Sequence, residues 1–230
     1  MKDKVTRNEG RVLVALSPYR LVASLPLFAQ GMNSPRRTRR EWALDVGAAT
    51  LWAIYAGAYL QRALTAHRLM DLGLFLFYSV VVWLFVTRAP AQRHAPWPAA
   101  LFAWGSTVLP VLGLSSSPVG WQTLGMIIQG LSLVSLTVAA LSLGRSFAIA
   151  PADRGLRTGG AYRWIRHPMY ASELMFYAGY LLANWSWRNL AVGGLVVLCV
   201  LIRIHYEEQL IAGYHEYARQ VRWRLIPRVW

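Results

Sequence analysis

The sequence predicts an all-α polytopic membrane protein with five or six transmembrane helices, and three observations carry that expectation. The chain of 230 residues is 56% hydrophobic and only 15% charged, with a mean hydropathy of +0.33. It is too apolar for an ordinary soluble domain and too patterned for disorder. Its apolar residues gather into six runs close to the ~20 residues a helix needs to cross ~30 Å of hydrocarbon. Its basic residues concentrate on alternate connections between those runs.

Taken in order, the chain opens with residues 1–41, a basic segment expected on the cytoplasmic side. Within it, Val12 to Ala29 follows Lys2, Lys4, Arg7 and Arg11 as the core of a signal peptide would, but Pro18, Arg20 and Pro26 interrupt it. An interfacial, partly helical segment is expected there, with a seventh crossing or a cleaved signal as alternatives. The N-terminal transmembrane part, residues 42–143, holds the runs Trp42 to Leu60, Leu69 to Val86, Pro98 to Leu114 and Thr123 to Leu143. Residues 144–230 hold the last two, Met169 to Trp185 and Leu190 to Ile204, and end in a polar tail. The third, fifth and sixth runs are short, so tilted or re-entrant helices are open possibilities.

The formal charge of +14, from 24 Lys and Arg against 10 acids, suggests nucleic acid when taken alone. Its distribution excludes that partner. With the N-terminus inside, all but Arg62, Arg68 and Arg188 fall on the inner segments, as the excess of Lys and Arg on short cytoplasmic loops requires. The basic loops are expected to touch anionic membrane lipids. Cys199 is the single cysteine, so there is no disulfide framework, and His67, His94 and His215 show no metal-ligand spacing; no metal is expected.

The longest inner connection, Gly144 to Tyr170, combines glycines with dense Arg and aromatic residues. Pro168 disfavours helix at His167 and suits the first turn of the helix that follows, which places His167 at a helix start. Arg166, His167 and the free amides of that helix form a seat for a carboxylate, unless Arg163 and Arg166 only anchor the interface. A second cluster, Arg203-Ile-His-Tyr-Glu-Glu208, closes the last run. Arg203 and Glu207 stand four apart, the spacing of an intrahelical ion pair. Alternatively the carboxylate holds a ligand's ammonium or hydroxyls. Glu173, one turn into the fifth run, is costly in hydrocarbon and is expected to face a cavity or pair with Arg166 or Arg203. Gly-Lys-Ser/Thr phosphate loops, dinucleotide glycine fingerprints and Gly-x-Ser-x-Gly elbows are absent from the sequence.

Leu-Gly-Arg-Ser-Phe at 143–147, Gly-Gly-Ala-Tyr-Arg-Trp-Ile-Arg-His-Pro-Met-Tyr at 159–170, Glu-Glu-Gln-Leu at 207–210, Tyr-His-Glu-Tyr at 214–217 and Leu-Ile-Pro at 225–227 form an ordered set. It resembles the isoprenylcysteine carboxyl methyltransferase family, which takes in related phospholipid methyltransferases. The resemblance covers roughly the C-terminal 90 residues; the first 120 carry no such signal. It implies a membrane-embedded methyltransferase using S-adenosylmethionine, with the cofactor between the Arg-His-Pro-x-Tyr loop and the paired-Glu helix. Tyr162, His167, Pro168, Tyr170, Glu207 and Glu208 would then bind the cofactor. Arg166, Arg203 and Glu207 would form the catalytic set, the two arginines orienting the acceptor or the cofactor carboxylate. Ala161 stands where the family usually has Pro, and Ser172-Glu173 replaces a Gly followed by an apolar residue; Glu173 leaves the acceptor undefined.

The expected activity is methyl transfer to a hydrophobic or lipid-like acceptor in the membrane, with both termini cytoplasmic and a bacterial inner membrane as the location. The alternatives are an NADPH-dependent reductase related to membrane sterol reductases, and a non-catalytic membrane module. The sequence does not define the oligomeric state.

Overall fold

The computed structural model describes residues 37–116 and 118–230; the segment Val12 to Ala29 lies outside the described residues. Thr38 starts the first helix, α1 (Arg39–Ala66), through a capping box: its hydroxyl accepts from the Glu41 amide, and the Glu41 carboxylate accepts from the Thr38 amide. His67, in a left-handed conformation at φ 51°, ends α1 and turns the chain into α2 (Leu69–Thr87). Pro96 and Pro98 frame the start of α3 (Trp97–Gly113), where a missing amide hydrogen costs nothing. Next come α4 (Gln122–Leu143), α5 (Pro168–Ala183), α6 (Trp187–Leu210) and the short α7 (Tyr214–Gln220).

Each of the six apolar runs is therefore a helix. The first and last continue past their predicted ends, to Ala66 and Leu210, because hydropathy falls at polar residues whereas the helix does not stop there. Four helices, α1, α2, α4 and α6, are long and apolar enough to cross a membrane, and α3 is a shorter apolar helix. Hydroxyls along α4 return their hydrogen bonds to carbonyls of the preceding turn: Ser132 to Ile128, Thr137 to Leu133 and Ser142 to Val138. Polar groups satisfied within the helix are compatible with an apolar surround.

Packing follows α1 against α2, α4 against α5, and α3 against α6, with α2 also meeting α4. The α4–α5 contact is close because two glycines face each other. A Cβ on Gly125 would lie 2.5 Å from the Gly179 carbonyl oxygen, and one on Gly179 would lie 2.7 Å from that of Gly125. Small residues let helix backbones approach in this way. Under α1 and α2, the aromatic group Trp52, Tyr55, Tyr59 and Tyr78 packs ring on ring, Trp52 and Tyr78 stacked at 5.2 Å.

The connections gather at two opposite ends. At one, Asn189 at the start of α6 donates to the Ser115 and Asn184 carbonyls and accepts from the Ser115 amide, tying together the α3–α4 and α5–α6 turns. The other end carries most of the arginines. There β1 (Arg93–His94) pairs antiparallel with β2 (Ala152–Asp153), Arg93 opposite Asp153. Asp153 is almost fully buried and accepts from Arg93 (3.0 Å) and from the amides of Gly155 and Ala212 (both 3.2 Å). One carboxylate thus joins the α2–α3 connection, the α4–α5 connection and the turn after α6. Alongside, buried Asp45 of α1 pairs with Arg37 and Arg88, and Arg154 donates to the Ala89 carbonyl. Burial, with Arg88 nearby, pushes the Arg154 guanidinium down to about 10.

Candidate functional site

His167 is the N-cap residue of α5, and Pro168 is the first residue of the helix, as the X-Pro restriction requires. The backbone at this corner is held by the chain's end: the Arg166 amide donates to Trp223 and the His167 amide to Arg224, at 2.8 and 2.9 Å. This fixes the Arg-His-Pro corner against the last turn of α6, where Glu207 and Glu208 stand side by side.

The two glutamates do different things. Glu208 sits in a closed network: Tyr214 donates to it at 2.9 Å, Arg224 at 2.7 Å, the His167 Nε2 lies 3.2 Å away and Arg166 Nη1 3.5 Å away. The Tyr214 hydroxyl also lies 2.9 Å from His167 Nε2. Burial, with Glu208 beside it, raises the Tyr214 phenol above its usual range, so it stays protonated and donates. Glu207 accepts from the Tyr170 hydroxyl and lies 3.8 Å from His167 Nδ1. The His167 ring stacks between Tyr170 and Tyr214, with centroids at 5.6 and 6.0 Å.

Around this corner lies a pocket of about 660 Å³, counting its opening, at the arginine-rich end. Tyr162, Arg166, His167, Tyr170 and Glu207 line it, with Gly155, Arg157 and Tyr214. Tyr162 is held by Tyr217, whose hydroxyl donates to the Tyr162 carbonyl at 2.6 Å. Pro168 and Glu208 stand behind the lining residues. The polar lining has both signs: guanidinium groups from Arg157 and Arg166, and the carboxylate of Glu207. The Arg166 Nε is buried without a hydrogen-bond partner among the described residues.

Arg203 lies on the other side of Tyr170. Its guanidinium sits over the Tyr170 ring at 4.7 Å, donates to Ser106 Oγ at 2.7 Å and to the Ile149 carbonyl at 3.0 Å, and lies 3.6 Å from Glu173. The i,i+4 spacing of Arg203 and Glu207 therefore does not produce the intrahelical ion pair. Arg203 is drawn instead to α3, α5 and the α4–α5 connection, while Glu207 turns to Tyr170. Arg203 and Glu173 line a second, larger chamber of about 810 Å³ between α1 to α6, otherwise walled by apolar and aromatic residues including Trp52, Tyr78, Phe176 and Tyr177. Met169 lines both cavities.

The structure thus brings together Tyr162, Arg166, His167, Tyr170, Glu207 and Glu208, and sets Arg203 one residue layer away. Sequence reasoning assigned no role to Met169, Tyr214, Tyr217 or Arg224. Tyr214 and Tyr217 were within reach, since they sit three apart in an otherwise polar tail and so share a helix face. Residues 118–216 match the model of the phospholipid methyltransferase family. The matched stretch holds both rims of the smaller pocket and stops short of Arg224. No curated protein matches the chain.

Proposed function

We propose that the protein is an integral membrane methyltransferase that takes S-adenosylmethionine as methyl donor and modifies a hydrophobic or lipid-like acceptor. The observation that carries this reading is the pair of cavities sharing Met169. One lies at the arginine-rich end and carries Arg157, Arg166, His167 and Glu207; the other lies among the helices and, apart from Arg203, Glu173 and Thr107, is walled by apolar and aromatic side chains. A water-soluble donor and a membrane-soluble acceptor need such a pair.

The lining of the smaller pocket fits the donor by its chemistry. A carboxylate calls for the Arg166 guanidinium, whose buried Nε has no hydrogen-bond partner among the described residues, assisted by Arg157. An ammonium or ribose hydroxyl calls for an acceptor, which Glu207 supplies. Tyr162 and Tyr170 offer aromatic faces to a sulfonium. His167, Pro168 and Glu208 act by position: they lock the corner that carries Arg166 and Tyr170. Arg203 braces the far side of Tyr170 and orients the acceptor. S-adenosylmethionine, when bound, supplies an activated methyl group open to in-line displacement. The chain's own contribution is alignment and the exclusion of water by buried Tyr162 and Tyr170 and partly buried Met169.

The orientation follows from the arginines. With the β1–β2 end in the cytoplasm, Arg62, Arg68 and Arg188 are, among the described arginines, the ones that face outward, in line with the positive-inside rule. In this reading α3 and α5 also cross, giving six spans with both termini inside, in a bacterial inner membrane.

Calorimetric titration of the detergent-purified protein with S-adenosylmethionine, its demethylated product and NADPH tests the proposal. Micromolar binding of the first two, weakened at least tenfold in His167→Ala and Glu207→Ala, is expected. Binding of NADPH alone would replace this reading with a reductase, and binding of none with a non-catalytic module.

A further inference from the structure

We propose that the larger chamber selects a hydrophobic amine, arriving as an ammonium and carrying no phosphate near its nitrogen, and that Glu173 is the residue that selects it. The fate of the nitrogen rests on the methyltransferase reading; what the chamber admits rests on its own geometry.

Two charged side chains line the chamber, and they differ in what they have left to offer. Arg203 is committed. Its side chain is 3% exposed; its two terminal nitrogens are taken by Ser106 and the Ile149 carbonyl and its face by Tyr170, and its Nε, which has no hydrogen-bond partner among the described residues, is buried out of reach of the chamber. Glu173 is not. Its nearest cationic partner is Arg203 Nη1 at 3.6 Å, beyond hydrogen-bond reach, and no hydrogen bond to its carboxylate is found among the described residues. Its side chain remains 15% exposed, toward the chamber. Aromatic rings of Trp52, Tyr78, Phe77, Phe176 and Tyr177 line the same chamber. Ring faces attract cations, and a carboxylate short of hydrogen bonds takes N–H donors. The open polar group of this chamber is an acceptor of negative charge, so it draws an ammonium and repels an anion.

The same geometry excludes two other acceptor types. In an ethanolamine phospholipid the phosphodiester lies two carbons from the nitrogen. With the nitrogen held at Glu173, that phosphate would lie close beside the same carboxylate and find no open cation. A carboxylate acceptor meets the same repulsion. A single alkyl chain bearing an amine meets apolar walls along its length, with Val111, 49% exposed, at the rim.

The step balances with Glu173 as the proton acceptor and a methyl sulfonium, the donor of the proposed function, as co-reactant. The ammonium gives one proton to the Glu173 carboxylate, leaving a neutral amine with a free electron pair. That pair forms the new N–C bond as the methyl's C–S bond breaks, its electrons departing on sulfur as a neutral thioether. The product is a methylated ammonium, and Glu173 returns its proton to water.

Binding of dodecylamine, dodecanoate and dodecanol to the protein in phosphatidylcholine nanodiscs, without cofactor, and read from tryptophan fluorescence, provides the test. Dodecylamine is expected to bind at least tenfold more tightly than dodecanoate, and Glu173→Gln to reduce that ratio at least fivefold at equal S-adenosylmethionine affinity. Equal binding of the two ions, preference for dodecanoate, or a ratio unchanged in Glu173→Gln overturns the proposal. The wild-type comparison decides the matter if that variant does not fold, with Glu173→Asp as the second variant. Transfer of labelled methyl to phosphatidylethanolamine at a rate equal to that for dodecylamine overturns it as well. Amine selectivity without S-adenosylmethionine binding would sink the methyltransferase reading and leave the chamber's selectivity standing.

Discussion

At the scale of single residues, the structure separates neighbours that look alike in sequence. Glu207 and Glu208 are adjacent and identical, yet one lines a pocket and the other is closed in by Tyr214, Arg224 and His167. Glu208→Gln keeps the shape but removes the charge that Arg224 and Arg166 answer; we expect a stability loss of about 1–3 kcal/mol, read as a lower melting temperature in detergent. Arg203→Ala should cost more, about 3–5 kcal/mol, because it removes a buried guanidinium with its bonds to Ser106 and the Ile149 carbonyl and leaves the partly buried Glu173 without its nearest cation. The double variant Arg203→Met/Glu173→Leu should recover most of that loss, which a thermal melt of all three proteins would show. The Arg-His-Pro corner was legible in sequence because Pro168 restricts its neighbours through local sterics. The approach of Glu173 to Arg203 was half legible: its cost in hydrocarbon called for a cavity or an arginine, Arg166 or Arg203, and only the packing of α5 against α6 selects Arg203, while the local spacing that favoured Arg203 with Glu207 misled.

At the scale of elements, the helices could be placed from hydropathy alone, whereas their pairing could not. Apolar runs report burial in hydrocarbon without saying which face meets which neighbour. Glycines carry part of that information. Gly179→Val should drive a side chain into the Gly125 carbonyl and destabilise the α4–α5 contact by about 1–3 kcal/mol. Gly194→Ala, where an added carbon meets nothing within 4 Å in the middle of α6, should be neutral or stabilising by up to about 1 kcal/mol. Urea or heat denaturation of the two variants side by side distinguishes crowding from a general intolerance of helix substitutions. The two-residue strands escaped sequence reading altogether: a ladder this short has no periodicity, and it exists because Asp153 collects donors from segments some 60 residues apart in the chain.

At the scale of the whole molecule, the arginine-rich end and the asparagine-clamped end define opposite poles. Arg157→Cys should react with a membrane-impermeant maleimide only after cells are permeabilised, and Arg188→Cys in intact cells; Cys199 is buried and should stay silent in both. The reverse labelling pattern would invert the proposed topology. The wall at Met169 carries a consequence for turnover. Because the two cavities share Met169 alone among their lining residues, the proposed donor and acceptor have separate places to bind, and neither has to wait for the other to arrive or to depart. Initial-velocity lines should therefore intersect for both substrates, and a dead-end analogue of either one should be competitive with its own counterpart and noncompetitive with the other, the signature of random-order kinetics.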